Sequence, residues 1–368
     1  MRYFPYSDRW VTLASAAIFC TLAASYFHFV ADDAYIVGRY AQNAARGIGL
    51  VYNEGDFVSA LTSPLHALIE SVFAWLGLDP VAAYRILAPV FLLTSLLVSA
   101  GILGHRGNAR AVYLFFTLTS PFLALWSVGG LETPLLTGLM AVFFAVVFRI
   151  LRDDSVTSGQ FILLGLIAGL SFVTRYDSII VVAPVLAVLT LLHFRRVALW
   201  LGGLVALTLA GGWLGFAQAY YAEILPTSAF VKLGRGSEPL ELHFINLVNF
   251  LVMSGLLLLL PLARIGWPEN RHSRSIGVGV VVALVLFFVY ALQASAQHMM
   301  FSYRFFVPYL PLFGMVLALA VEARSGLVAS LALLVNLAVA PMIPLWGLNP
   351  GSCLICPSAA VSLLNCAA

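Results

Sequence analysis

The sequence is short of charge. Asp, Glu, Lys and Arg make up 10% of its 368 residues, against about 25% in an ordinary soluble domain. Lysine occurs once, at Lys232. With 62% hydrophobic residues and a mean hydropathy of +0.99, the chain fits neither a soluble globular protein nor a disordered one. Its basic residues stand singly or in pairs between apolar runs, so there is no patch for nucleic acid. Cysteine is also scarce, at Cys20, Cys353, Cys356 and Cys366, and no His lies close to the last three to suggest a zinc site. Residue-by-residue alternation is missing too. The long apolar runs exclude an outer-membrane barrel. What remains is an all-α, polytopic integral membrane protein.

A spanning helix needs about 20 mostly apolar residues. That window predicts about eleven transmembrane helices, near 10–30, 81–103, 111–127, 134–150, 160–174, 178–194, 197–219, 246–262, 276–293, 305–321 and 327–346. The first run is longer than the core of a signal peptide and is expected to be retained. One membrane unit is expected over 1–346, with a first external loop at 31–80 and a short external tail at 347–368. Cys353 and Cys356 in that tail could form a disulfide or stay as thiols. Placing the N-terminus in the cytoplasm puts twelve basic residues inside and seven outside, and only the inside ones are paired. The outside seven are Arg39, Arg46, Arg85, Arg175, Lys232, Arg235 and Arg304. Insertion does not favour them there, so they call for another explanation.

The first external loop holds the densest chemistry. From Asp32 to Arg46 the pattern is that of a short amphipathic helix lying in the membrane plane. Asp32, Tyr35, Arg39, Asn43 and Arg46 are expected on its polar side, and Val37, Tyr40, Ala41 and Ala44 on the other. Gly47 and Gly49 end it. A second, less polar helix is expected from Ser63-Pro64 to Trp75, with Pro64 in its first turn. Asp32 and Asp33 read either as a helix-terminal cap or as reactive groups. Two adjacent carboxylates at an apolar boundary are costly, and such charges tend to be functional. One could take a proton from a sugar hydroxyl. The pair is also compatible with a divalent cation such as Mg²⁺.

These residues carry a resemblance. Asp32-Asp33-Ala34-Tyr35-Ile36, Arg39-Tyr40-Ala41, Asn43, Gly49-Leu50-Val51-Tyr52-Asn53, Gly55 and Thr62-Ser63-Pro64-Leu65 resemble the opening of bacterial GT-C glycosyltransferases, in particular the mycobacterial terminal arabinofuranosyltransferases. Later landmarks are Gly130-Leu131-Glu132-Thr133, Arg175-Tyr176-Asp177, Tyr220-Tyr221, Leu225-Pro226-Thr227, Lys232-Leu233-Gly234 and Arg304-Phe305. The family often has an acid-glycine-tyrosine stretch before Thr62, where this chain has Val58-Ser59-Ala60-Leu61. The resemblance implies a GT-C-like fold in a bacterial inner membrane, with interfacial helices in the first loop and a site facing the periplasm. It implies transfer of a sugar, arabinofuranose in the mycobacterial enzymes, from a polyprenyl-phosphate donor. The acceptor would be a hydroxyl on a cell-envelope glycan or on a surface protein such as pilin. Asp32 maps to the critical acid, with Asp33 assisting.

The leaving phosphate needs fixed cations in a dry site. Arg304 and Lys232 are the first candidates, with Arg39 on the same face as Asp32 and Arg235 behind them. Each could instead be an interfacial side chain reaching for the headgroups. Glu132, Arg175, Asp177, Tyr35, Tyr220, Tyr221 and His298 are candidate contacts to sugar or acceptor. Arg175 and Asp177 also read as a local ion pair, and Glu132 as a helix-terminal charge. A transporter of a polyprenyl-linked sugar is the rival reading, but transporters place ionisable groups near the bilayer midplane, whereas these acids sit at the ends of spans.

Overall fold

The computed structural model describes residues 5–103, 107–152, 156–227, 271–294 and 303–322, together with 244, 248, 250 and 251. Regular structure among them is entirely helical. In hydrocarbon a helix satisfies every backbone donor and acceptor internally, which is why apolar runs of this length take that form. The helices are α1 (Pro5–Ser25), α2 (Asp32–Ala45), α3 (Pro64–Trp75), α4 (Pro80–Leu103), α5 (Gly107–Leu118), α6 (Pro121–Val128), α7 (Thr133–Arg152), α8 (Ser158–Thr174), α9 (Ile179–His193), α10 (Val197–Tyr221), α11 (Arg271–Ala294) and α12 (Leu310–Glu322).

Four of these, α4, α7, the α9 region and α10, are long and apolar enough to cross a membrane, and the bent pair α5–α6 makes a fifth. The spans expected at 10–30, 160–174, 276–293 and 305–321 are helices with shorter apolar stretches. Most of 246–262 and all of 327–346 lie outside the described residues, as does the tail with its cysteines.

Two spans differ in detail from expectation. The first ends at Ser25 rather than near 30. A continued helix would send the Ala31 N–H to the Phe27 carbonyl. Here Ala31 donates to the Gly129 carbonyl at 3.0 Å, and Arg85 takes the Phe27 carbonyl. His28 therefore lies in a turn and is not in helical register with Asp32. The segment expected as one span at 111–127 is two helices bent by 57°. Pro121 cannot continue the hydrogen-bond ladder, and the Ser120 hydroxyl accepts from the Leu123 N–H at 3.5 Å to start α6 afresh.

Helix α7 is the centre of the bundle. Of its most apolar window 72% is buried, against 17% for α10. Tyr113, Phe116, Phe143, Phe144, Leu92 and Leu96 are fully buried around it, joining α4, α5 and α7. Helices α8 and α10 lie backbone to backbone. A Cβ on Gly165 would collide with the Gly202 backbone, and one on Gly202 with the Phe161 carbonyl. Small residues are what let membrane helices approach so closely.

The two helices expected in the first loop are present as α2 and α3. Helix α2 buries Ala34, Val37, Gly38, Tyr40, Ala41 and Asn43 and exposes Asp32, Asp33, Tyr35 and Arg39. Asn43 is the exception to the expected faces. It is buried because its side-chain amide donates to the carbonyls of Val51 and Tyr52, at 2.8 and 2.9 Å, and so folds the following loop back onto the helix.

Candidate active site

Five charged residues from four places in the chain meet at one end of the bundle. Glu132 lies in the turn before α7 and is almost fully buried. Its Oε1 accepts from Arg175 Nη1 at 2.9 Å and from Arg304 Nη2 at 3.0 Å, and Oε2 accepts from Arg304 Nη2 at 3.2 Å. Arg175 follows α8 and also grips Asp177, with Nε to Oδ1 at 2.9 Å and Nη2 to Oδ2 at 2.5 Å. The Tyr290 hydroxyl on α11 donates to Asp177 Oδ2 at 3.3 Å. Arg304, ahead of α12, reaches Asp33 at the start of α2, Nη1 to Oδ2 at 3.6 Å. The result is an alternating chain: Asp33, Arg304, Glu132, Arg175, Asp177.

Burial alone would push the Glu132 carboxyl up. The guanidiniums of Arg304 and Arg175 outweigh it and hold that carboxyl well below the usual carboxylate range. The arginines in turn lean on aromatic faces. Arg175 lies 4.6 Å from the Phe305 ring centre, and Arg304 lies 5.6 Å from that of Trp126. Arg304 keeps one donor free for something else. Its Nε is buried without a hydrogen-bond partner among the described residues.

Asp33, rather than Asp32, joins this chain. Asp32 Oδ1 accepts from the Asp33 backbone N–H at 2.9 Å, and both residues are exposed in the first turn of α2. Neither caps the helix. The cap position is Ala31, which has no side chain for it. The pair makes a poor cradle for a divalent cation, because the carboxylate of Asp33 faces a guanidinium. Among the described residues no group of three His, Cys, Asp or Glu is arranged to hold a metal ion.

The remaining candidates fall into separate places. Arg39 is exposed, and its Nε donates to the Tyr52 carbonyl at 3.3 Å. Tyr35 is 60% exposed one turn beyond Asp32. Tyr221 and Tyr220 shape the first loop: the Tyr221 hydroxyl donates to the Leu50 carbonyl at 2.6 Å, and the Tyr220 ring meets Phe57 edge-on at 5.1 Å. The Thr227 N–H donates to the Ser59 carbonyl at 2.8 Å, tying the chain after α10 to the first loop. Lys232, Arg235 and His298 lie outside the described residues.

Some polar residues near the site carried too little sequence signal to be assigned to it. Glu70 and His66 share the buried face of α3, fully enclosed, with Nε2 and Oε1 3.2 Å apart. They are at ion-pair distance, but the angle falls short of a hydrogen bond, so their polar atoms stay unsatisfied. The four-residue spacing that puts them on one face was visible, but their burial was not. Tyr290 sits in an apolar helix and could not be told from a core residue.

An apolar groove of about 860 Å³ opens between the first-loop helices and α8–α10, lined by Ala44, Leu65, Trp75, Val173, Gly212 and Trp213 among others. The Trp213 indole donates to the Tyr176 hydroxyl at 2.5 Å, so the groove wall adjoins the Arg175–Asp177 turn.

No protein-family model matches the chain. Over 253 residues it is 24% identical to a terminal β-(1→2)-arabinofuranosyltransferase of Mycobacterium tuberculosis, a match covering 62% of this chain and 39% of that protein. Among solved structures it is similar to ArnT from Cupriavidus metallidurans bound to undecaprenyl phosphate, with a TM-score of 0.59 and 17% identity over 83% of this chain and 60% of ArnT. The apo form of ArnT gives 0.56 and 18%, over 86% and 60%. The chain thus spans about two fifths of the length of the arabinofuranosyltransferase and three fifths of that of ArnT. The resemblance read from the first loop agrees with both comparisons. The regular structure of the described residues is all helical, and the chain is a multi-pass membrane protein with the membrane GT-C fold seen in ArnT.

Proposed function

We propose that the chain is a GT-C glycosyltransferase that moves a sugar from a polyprenyl-phosphate donor to an acceptor hydroxyl. The observation that carries this reading is the alternating chain from Asp33 to Asp177, built at helix ends on one side of the bundle. A transporter would need such groups near mid-membrane on broken helices. The similarity to an arabinofuranosyltransferase favours arabinofuranose as the sugar. A glycan or a surface protein such as pilin would supply the hydroxyl, on the periplasmic side of a bacterial inner membrane.

In this reading Asp32 takes the proton of the acceptor hydroxyl as its oxygen bonds to the anomeric carbon. The bond from that carbon to the phosphate oxygen breaks, and the phosphate leaves with the electron pair. Arg304 stabilises the departing charge through its unpartnered Nε, a fixed donor in a water-poor site being most effective where charge develops. Asp33 and Glu132 orient that guanidinium. Arg175, Asp177 and Tyr35 contact the sugar or acceptor. Lys232 and Arg39 are further phosphate contacts. The apolar groove takes the isoprenoid chain.

Purified protein, lipid-linked sugar and acceptor test the reading directly. Asp32→Asn should abolish transfer while donor binding survives. Full turnover in that variant would remove Asp32 from the reaction. Export of intact lipid-linked sugar without transfer would replace the enzyme with a transporter.

A further inference from the structure

We infer that Arg85 is a positioning residue that sets the turn carrying Asp32 and Asp33 against the turn carrying Glu132. It is one of the outward-facing cations that membrane insertion does not favour, and the charged chain of the site does not include it. Its side chain leaves α4 and spreads over both turns. Nε donates to the Val128 carbonyl at 2.8 Å, at the end of α6. Nη2 donates to the Phe29 carbonyl at 2.8 Å and to the Phe27 carbonyl, in the strand of chain that leads into Asp32. The ring of Phe27 lies under the guanidinium, 4.5 Å from its centre.

The surrounding contacts make this grip consequential. Ala31 N–H donates to the Gly129 carbonyl at 3.0 Å, so the two turns are bonded to each other directly beside Arg85. Gly130 has a φ of +81°, and a Cβ there would press on Ala34 at 2.9 Å and reach ordinary contact with the Arg85 side chain at 3.5 Å. Phe29 meets Trp126 edge-on at 5.6 Å, and Trp126 in turn lies by Arg304. Only a planar fork of donors serves carbonyls on two sides at once. A lysine nitrogen has the charge but not the span. Arg85 acts through the backbone of these turns and is placed at no reacting atom.

Its kinetic consequence rests on the glycosyltransferase reading, whereas its structural consequence does not. The experiment therefore has two arms on the full chain in detergent or nanodiscs, with Arg85→Lys and Arg85→Ala. In the exchange arm, hydrogen–deuterium exchange should rise together in 26–31 and 128–132 and stay as in wild type across α8 and α10. In the kinetic arm, kcat should fall about tenfold or more, the scale on which misplaced reacting groups are felt. The donor KM should move by less than about threefold, marking loss of orientation rather than of binding. Added guanidinium ion should restore part of the turnover of Arg85→Ala. Wild-type exchange in both turns, or an equal loss of protection over the whole bundle in both variants, overturns the inference. If wild type transfers no sugar, the functional reading fails and the exchange arm alone judges Arg85.

Discussion

Arg304 stands between Asp33 and Glu132, its Nη1 3.6 Å from the first and its Nη2 3.0 and 3.2 Å from the two oxygens of the second. Asp33 is 271 residues away in sequence and Glu132 is 172 away, so the contact is wholly a product of the fold. A guanidinium can face both at once, whereas an ammonium can satisfy only one well. Arg304→Lys should therefore keep the fold and lower kcat by about 100-fold, the usual cost of removing one donor from a charge-stabilising site. Steady-state transfer assays decide it, and a kcat near wild type would remove Arg304 from phosphate stabilisation.

Glu132 should lend stability that acid removes. Two guanidiniums, outweighing burial, hold its carboxyl well below the ordinary value of 4.5. A carboxyl depressed in the folded state contributes fully above its unfolded pKa, and that contribution drains away as pH falls toward the folded value. Melting in detergent should thus drop as pH is lowered below about 4.5. Glu132→Gln should melt lower than wild type at neutral pH and show a shallower acid limb. Acid limbs of equal slope would contradict the pairing.

His66 and Glu70 form a buried couple whose removal should not be additive. Deleting one member of a buried pair leaves the other without its neighbour, whereas an apolar replacement of both can be near neutral. His66→Leu and Glu70→Leu should each lower the melting temperature sharply, and the double variant should recover most of the loss. A double variant that equals the sum of the singles would show the two to be independent.

The groove can be tested by filling it. A Cβ on Gly212 meets nothing within 4 Å, so a larger residue there points into open space. Gly212→Phe should raise KM several-fold for a long-chain lipid donor and barely change it for a short-chain one. An equal effect on both chain lengths would place the isoprenoid elsewhere.

Much of this was readable in advance, and the reasons are physical. The helices of the first loop follow from local periodicity and from Pro64 and the glycines at 47 and 49, so α2 and α3 appear where the pattern puts them. Glu132, Arg175 and Asp177 stood out because charge at a span end is rare. Their joining through the single guanidinium of Arg175 was not readable, since ion pairs between helix ends are set by packing. Asn43 looked polar and outward by helical position, yet it is drawn inward by the carbonyls of Val51 and Tyr52. The break after Ser25 depends on Arg85 taking a carbonyl 58 residues back, which no window over the first span contains.

The separation between Arg304 and Asp33 exceeds a hydrogen bond, while Glu132 holds the other edge of the same guanidinium closely. The aspartate is the looser partner. Under the proposed reaction, an arriving phosphate would therefore compete for this guanidinium with Asp33 before it competes with Glu132.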